Sequence, residues 1–345
     1  MASRRAERSG YLVKHGLGLV IGKFYPPHRG HKLAIDAAIA QSDQAVVIVC
    51  AKPSDSISGE VRGQWLQEIH PTARVMVIHD QYDENDSQVW AQNTIRWLGR
   101  APDVVFTSED YGDRYSQLMG SKHVSVDRTR ERVPVSGTAV RNDPYANWEF
   151  IEPPVRGWFA KRVCVVGAES TGTTTLAKAL AEQLQTVWVE EYGREYSARK
   201  RANNDFAWRS EEFVQIAQEQ TQLEAKAACQ ANRVLVCDTN SFATVLWHRR
   251  YMGTHSPQVE GIARAGRCDL YLLTGDEISF VQDGLRDGEY IRHEMHRWFE
   301  EALANQDAPW KLLRGSHEER LREALRWVES LFKDSAWRPK TLGKT

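Results

Sequence analysis

The five cysteines, Cys50, Cys164, Cys229, Cys237 and Cys268, are scattered, odd in number and without a CxxC pair. That spacing argues against a disulfide framework and for buried, reduced thiols in a cytoplasmic protein. Long apolar runs are also missing. Stretches such as Ala45 to Ala51 are far too short to cross a bilayer, so no membrane role is expected. Met1 to Ser9 are polar and basic with no hydrophobic segment behind them, which predicts a frayed tail and not a signal peptide. Nor is there charge of one sign: a formal net charge of −1 supplies no bulk attraction for nucleic acid, so any anion site must be local. What is present is an ordinary globular composition, 41% hydrophobic, and a length of 345 residues that suggests two domains.

The chain is organised around Gly22-Lys23-Phe24-Tyr25-Pro26-Pro27-His28-Arg29-Gly30-His31. Leu17 to Ile21 read as a short buried strand before it, and Lys32 to Gln41 as a helix after it, with Leu33, Ile35, Ala38 and Ile39 apolar. Gly22 lets a ligand approach the backbone and Pro26 and Pro27 stiffen the loop. His28 and His31, three apart at the positive end of a helix, are placed to face one anionic ligand. If His31 faces solvent, its loss should leave folding little changed.

Strand-like and helical segments then alternate. Ala45 to Ala51, Arg74 to Ile78, Asp103 to Thr107 and His123 to Val126 read as strands, and Val61 to Ile69 and Ser87 to Leu98 as helices. A Ser- and Asp-rich loop, Lys52 to Glu60, is expected to be mobile. The alternation predicts a parallel, doubly wound sheet with its ligand at the carboxyl ends of the strands. Ser136-Gly137-Thr138-Ala139-Val140-Arg141 closes this half: Ser136 suits an N-cap, and backbone N–H groups, two hydroxyls and Arg141 point at one place.

Glu152 to Phe159, with Pro153, Pro154 and Gly157, reads as an interdomain linker. Beyond it Arg162 to Val166 is a strand, followed by the glycine-bracketed loop Gly167-Ala168-Glu169-Ser170-Thr171-Gly172-Thr173-Thr174-Thr175 and a helix from Leu176. This is the layout of a phosphate-cradling P-loop, except that Thr173 stands where G-x-x-x-x-G-K-[ST] has lysine. Thr174 still fills the magnesium-binding hydroxyl position, while Lys178 leaves the wrong face of the helix. Val187 to Val189 leads into Glu190-Glu191-Tyr192-Gly193-Arg194-Glu195-Tyr196, Ser210 to Asn232 is a long helix, and Val234 to Cys237 ends in Asp238. Asp238 either organises magnesium or caps the next helix. Leu270 to Leu273 is a further strand. Asp283 to Gly288 is a lid that brings Arg286 over the phosphates, or a surface turn. Tyr290 to Ala304 and Glu318 to Phe332 are amphipathic helices.

The opening stretch resembles the (H/T)xGH signature of the nucleotidyltransferase superfamily, and SGTAVR resembles the motif that pairs with it to hold a triphosphate. With GAESTG and EYGREY in this order, Gly16 to about Phe332 is similar to the bifunctional NadR family. The resemblance implies a nicotinamide mononucleotide adenylyltransferase joined to a ribosylnicotinamide kinase, with ATP as co-substrate and Mg²⁺ as cofactor. The expected layout is a tail (1–15), an adenylyltransferase domain (16–151), a linker (152–160), a P-loop kinase domain (161–334) and a second tail (335–345), both domains being doubly wound α/β sheets. Only about fifteen residues precede the first strand, so the helix-turn-helix of the family's regulatory members is not expected.

Carried over to this chain, the resemblance implies that His28, His31, Lys23 and Arg141 act on the triphosphate in the first domain, with Gly22, Phe24, Gly30, Ser136, Gly137 and Thr138 binding ATP. Trp90 lies where an aromatic supports the nicotinamide ring, although core packing with Trp97 suits it equally. Arg62 is a candidate phosphate contact, or an exposed surface arginine. In the second domain the resemblance implies the P-loop Gly167, Glu169, Ser170, Thr171, Gly172, Thr173, Thr174 and Thr175. Glu191 is the first candidate base and Asp238 the second, Thr174 and Asp238 hold the metal, and Glu191, Tyr192 and Arg194 lie over the nucleoside. The expected partners are small nucleotides (ATP, nicotinamide mononucleotide, ribosylnicotinamide, NAD), not nucleic acid or membrane, with room for a homo-oligomer. Two alternatives stand: an inactive ATP-binding sensor in place of the kinase, which Thr173 keeps open, and a fused phosphopantetheine adenylyltransferase/dephospho-coenzyme A kinase, which EYGREY and Lys23-Phe24 disfavour.

Overall fold

The computed structural model describes residues 14–281 and 288–339. The chain divides between Val155 and Arg156 into two compact units. In the first, β1 (His15–Gly22), α1 (Arg29–Gln41), β2 (Ser42–Ala51), α2 (Gly59–Ile69), β3 (Arg74–His79), α3 (Ser87–Leu98), β4 (Val104–Thr107), α4 (Gly112–Met119), β5 (Lys122–Ser125) and α5 (Gly137–Asn142) follow in order. The sheet order is β3-β2-β1-β4-β5 and every pairing is parallel. The order reverses between β1 and β4, which opens a crevice at their carboxyl ends, beside Gly22 and Thr107.

The sequence of β2 shows why helices cover both faces. Its run from Ala45 to Ala51 is buried throughout. Val47 and Val49 join Ile35 and Phe106 in one cluster, while Val46 and Ile48 join Ala91 and Val105 in another. Alternate side chains of a strand point to opposite faces, so an uninterrupted apolar run requires two cores. Helix α3 is bounded by Asp86, whose carboxylate accepts from the N–H of Gln88 and Val89, and by Gly99 at φ +78.

The second unit carries α6 (Pro153–Phe159) across the division, then β6 (Lys161–Val166), α7 (Thr173–Leu184), β7 (Trp188–Val189), α8 (Tyr192–Ala202), α9 (Ser210–Ala228), β8 (Val234–Asp238), α10 (Ser241–Met252), α11 (Pro257–Ala265), β9 (Leu270–Thr274), α12 (Arg292–Ala304), β10 (Trp310–Leu313) and α13 (His317–Ser330). Its parallel sheet has the order β10-β9-β6-β8-β7. The central strand β6 feeds the glycine loop, and its neighbour β8 ends at Asp238.

Three expectations change. The segment expected as a linker is helical, because Pro153 and Pro154 occupy a first turn, where proline's missing N–H costs no hydrogen bond. The loop expected to be mobile is pinned: Tyr25 shares a 2.7 Å hydrogen bond with Ser56 Oγ, and Asp55 accepts from Lys52 N at 3.0 Å and from Arg62 at 2.6 Å. Helices α4, α8 and α11 and strand β10 arise where no element was expected. The proposed lid, with Arg286, lies outside the described residues. Among the described residues, no helix is long and apolar enough to cross a membrane.

Candidate active sites

At the start of α1, His28 is the N-cap and closes a capping box with His31. His28 Nδ1 accepts from Gly30 N at 3.1 Å, and His31 Nδ1 accepts from His28 N at 3.3 Å. With both Nδ1 atoms used as acceptors, each neutral ring carries its proton on Nε2. The rings stack with centroids 3.7 Å apart, and Phe24 meets His31 edge-on at 5.0 Å. Burial, then the charge of Arg130, pushes the His28 imidazole down to about 4. Burial, then His28 and Arg130, holds His31 well below its usual value. Both imidazoles are therefore neutral N–H donors and not cations.

A cavity of about 520 Å³ opens beside this pair. It brings together Gly22, Lys23, Phe24, His31, Trp90, Ser136, Gly137, Thr138 and Arg141 from four separate segments. Ser136 caps α5 by accepting from Ala139 N at 3.1 Å. Arg141 donates to Tyr25 O and, at 3.0 Å, to Thr138 Oγ1, and lies 4.8 Å from the Tyr25 ring centroid. Gly137 is required here, because a Cβ would stand 2.9 Å from Tyr25 O. Lys23 pairs with Glu84 at 2.7 Å. Hydrogen bonds from Lys23 and Lys52 hold Glu84 down at about 2, so that carboxylate stays charged.

His28 and Gly30 sit behind the cavity wall, supporting His31. Arg62 corrects its expectation: it is fully buried and donates to Ser58 O, Lys23 O, Cys50 O and Asp55. It braces the loops that frame the cavity and does not face a phosphate. Arg130, missed in the sequence, lines the cavity and acts electrostatically on both histidines. Trp90 packs as its core reading expects and also reaches the cavity. Its indole packs edge-on against Trp97 and donates to Asp83 O at 2.9 Å, while the same half-buried side chain lines the cavity.

In the second unit the loop after β6 wraps the N-terminus of α7. Gly172 takes φ +86, a conformation that favours glycine. Thr171 Oγ1 donates to Ala168 O at 2.7 Å and shares a 2.6 Å hydrogen bond with Thr274. Three buried arginines hold the loop from behind. Arg250 donates to Glu169 at 2.8 Å, Arg292 to Ser170 O at 3.2 Å, and Arg320 to Thr171 O at 2.8 Å. Lys178 lies 4.9 Å from the centroid of the Trp188 ring, away from the loop.

A cavity of about 160 Å³ collects Gly167, Glu169, Ser170, Gly172, Thr173, Thr174, Thr175, Glu191 and Arg194. Beneath it Asp238 is buried and accepts from Thr174 Oγ1 at 2.5 Å. The cap reading of Asp238 gives way, since the N-cap of α10 is Asn240. Burial raises the Asp238 carboxyl, against the Thr174 hydroxyl. Burial, then the neighbouring Asp238, lifts Glu191 to about 8, against the charge of Arg194.

Tyr192 corrects its expectation. Its hydroxyl accepts from Arg199 at 2.7 Å, and the side chain lies off the cavity wall. The aromatic wall is instead Trp208, Phe213, Trp247 and Tyr251. Only the spacing of Phe213, Ile216 and Gln220 along α9, a recurring helical face, signalled part of it in the sequence.

A family model described as an AAA domain matches residues 162–320. Two solved structures have the fold of almost the whole chain: the NadR protein in complex with NR (TM-score 0.75) and the NadR protein in complex with NAD and AMP-PNP (TM-score 0.73). Each is 20% identical and covers 96% of this chain and 99% of that one. In sequence, the trifunctional NAD biosynthesis/regulator protein NadR of Salmonella typhimurium is 28% identical over 294 residues, covering 78% of this chain and 71% of its own. The protein of the same name from Escherichia coli is 30% identical over 295 residues, covering 79% of this chain and 72% of its own. With that sequence likeness extending over 295 residues and therefore through both units, the chain belongs to the NadR family.

Proposed function

We propose that the chain carries out two consecutive steps of NAD synthesis: phosphorylation of ribosylnicotinamide in the second unit and adenylylation of nicotinamide mononucleotide in the first. The observation that carries the reading is the neutral imidazole of His31, stacked on His28 at a helix N-terminus and lining a cavity that also holds Arg130 and Arg141.

In adenylyl transfer the mononucleotide phosphate attacks the α-phosphorus of ATP and expels pyrophosphate. The nucleophile is already an anion, so no general base is required and catalysis is positioning and charge stabilisation. His31 Nε2–H, the Ser136–Thr138 turn, Arg130 and Arg141 are the donors for that charge. Trp90, held in plane by its hydrogen bond to Asp83 O, offers its face to the pyridine ring.

The kinase step needs a base, because a ribose hydroxyl is a poor nucleophile. Glu191 takes its proton, and the aromatic wall around Trp208 and Tyr251 suits a cationic pyridinium ring. The residues fit Mg²⁺: Thr174 Oγ and Asp238 already meet, and Asp238 Oδ1 is buried with no hydrogen-bond partner among the described residues. Thr174 and Asp238 would hold the ion, and its chemistry there would be neutralisation of phosphate charge. Arg194 is the cation that lines this cavity where Thr173 supplies none. We place both reactions in the cytoplasm, in keeping with five free cysteines.

Ribosylnicotinamide and its mononucleotide, supplied separately with ATP and Mg²⁺, should yield nicotinamide mononucleotide with ADP and NAD with pyrophosphate, respectively. NAD from the mononucleotide, with no product from ribosylnicotinamide despite ATP binding, would identify the second unit as a sensor, the reading that Thr173 keeps open. No NAD from the mononucleotide would overturn the adenylyltransferase assignment.

Because Glu191 must be ionised to accept a proton and its carboxyl sits near 8, kinase kcat/KM should rise with pH through about 8. An ordinary glutamate would have levelled off by about pH 5–6. A profile flat from pH 6 to 9 would remove Glu191 from the base role.

A further inference from the structure

The glycine loop of the second unit does not hold its shape unaided. Ser170 sits at φ +60 and Gly172 at φ +86, and a serine in that region persists only where its surroundings impose it. Backbone alternation of this kind turns successive N–H groups toward one side, where an anion can lie. With Thr173 in the lysine position, more of the phosphate charge falls on those N–H groups, and their aim becomes decisive.

Arg320 fixes the aim of one of them. It leaves α13, is 4% exposed and stays behind the cavity wall. Its Nη1 donates to Thr171 O at 2.8 Å and its Nε to Gly315 O at 3.0 Å. Its Nη2 donates to Gly275 O at 3.2 Å and to Glu277 at 2.6 Å. One planar group thus ties the glycine loop to the chain after β9 and to the start of α13. The Thr171–Gly172 peptide is trans, so its C=O and N–H point in opposite directions. With the carbonyl bound by Arg320 behind the loop, the Gly172 N–H is turned to the side on which Gly172 lines the cavity.

We propose that Arg320 is a positioning residue for ATP: from behind the loop it aims the Gly172 N–H at a phosphate oxygen and touches no substrate itself. The inference rests on the kinase reading of this cavity. A donor already fixed in place needs no reorientation when the phosphate arrives. Without Arg320 the Thr171 carbonyl is released to turn inward, and the anion then meets an acceptor in place of a donor. The nucleoside has other contacts on the cavity wall, Glu191, Arg194 and the aromatic rings, so the effect of Arg320 falls on one substrate only.

The test is steady-state kinase kinetics of the full chain, varying ATP–Mg²⁺ at saturating ribosylnicotinamide and then the reverse. Pyrophosphate release with nicotinamide mononucleotide is the internal control for the first unit. Arg320→Met should raise the KM for ATP by about 10–100-fold, the scale of one hydrogen bond to a charged group. The KM for ribosylnicotinamide and adenylyl transfer should be unchanged. Arg320→Lys, which can still donate to Thr171 O, should fall between wild type and Arg320→Met, and serves if the Met variant does not fold. A merely structural brace would lose active enzyme, lowering kcat and leaving both KM values alone. That result, or an equal rise in the two KM values, overturns the inference. If the wild type does not phosphorylate ribosylnicotinamide, the kinase reading falls, and calorimetric titration with ATP–Mg²⁺ decides Arg320 separately. Selective weakening of the second unit's ATP site in Arg320→Met retains the positioning role, and unchanged binding in both units overturns it.

Discussion

His31→Ala should lower adenylyl transfer by about 10²–10³-fold, the scale of losing one preorganised donor to developing charge. The sequence alone suggested that folding would change little if His31 faced solvent. The structure predicts otherwise, because His31 Nδ1 accepts the N–H of the His28 cap and its ring packs on both His28 and Phe24. Loss of a cap costs about 1 kcal/mol, or about 2–4 °C in the melting of a unit this size. The two effects separate in a second variant. His31→Glu restores the acceptor that a capping box uses at this position, so melting should recover. Transfer should not, since a carboxylate now faces the triphosphate. Near-normal turnover of His31→Ala would remove His31 from the chemistry. Normal melting with lost turnover would keep the donor role and remove the cap.

Asp238→Asn should cut kinase turnover by about 10³-fold while leaving adenylyl transfer in the first unit intact. Asparagine keeps the size of the side chain and the acceptor for Thr174 Oγ1, so the geometry under the glycine loop survives. What disappears is the negative charge that balances a divalent ion, and metal-assisted charge stabilisation contributes several kcal/mol to such a transition state. Folding should be unharmed or slightly improved, because burial already penalises this carboxylate. Steady-state kinetics across a magnesium titration, with pyrophosphate release from the first unit as the internal control, provide the measurement. Wild-type turnover with unchanged magnesium dependence would exclude Asp238 from metal binding.

Some residues were legible because their partners are close in sequence. The opening histidines, SGTAVR and GAESTG each lie within one strand–loop–helix unit, where a glycine, a cap and a helix N-terminus already constrain the backbone. Arg62 and Tyr192 misled because their surroundings come from elsewhere. Arg62 is expected at a surface, yet backbone carbonyls of Lys23 and Cys50 draw it inside. Tyr192 belongs to a run that does reach the cavity, but it turns toward Arg199 while Glu191 and Arg194 line the cavity. Helix α6 was hidden by two prolines that read as a break and in fact occupy a first turn.

By itself the sequence determined the two alternating α/β halves, the order of their glycine-bearing strand–loop–helix turns and the residue types those turns carry, since these follow from hydrophobic periodicity and local backbone geometry. Only the tertiary structure decided that Arg130 joins the histidines, that four aromatics from three segments wall the second cavity, and that Arg320 reaches the glycine loop from α13. The reason is physical: periodicity fixes which face a side chain leaves, but which distant side chains share a cavity depends on how parallel strands and their crossovers pack.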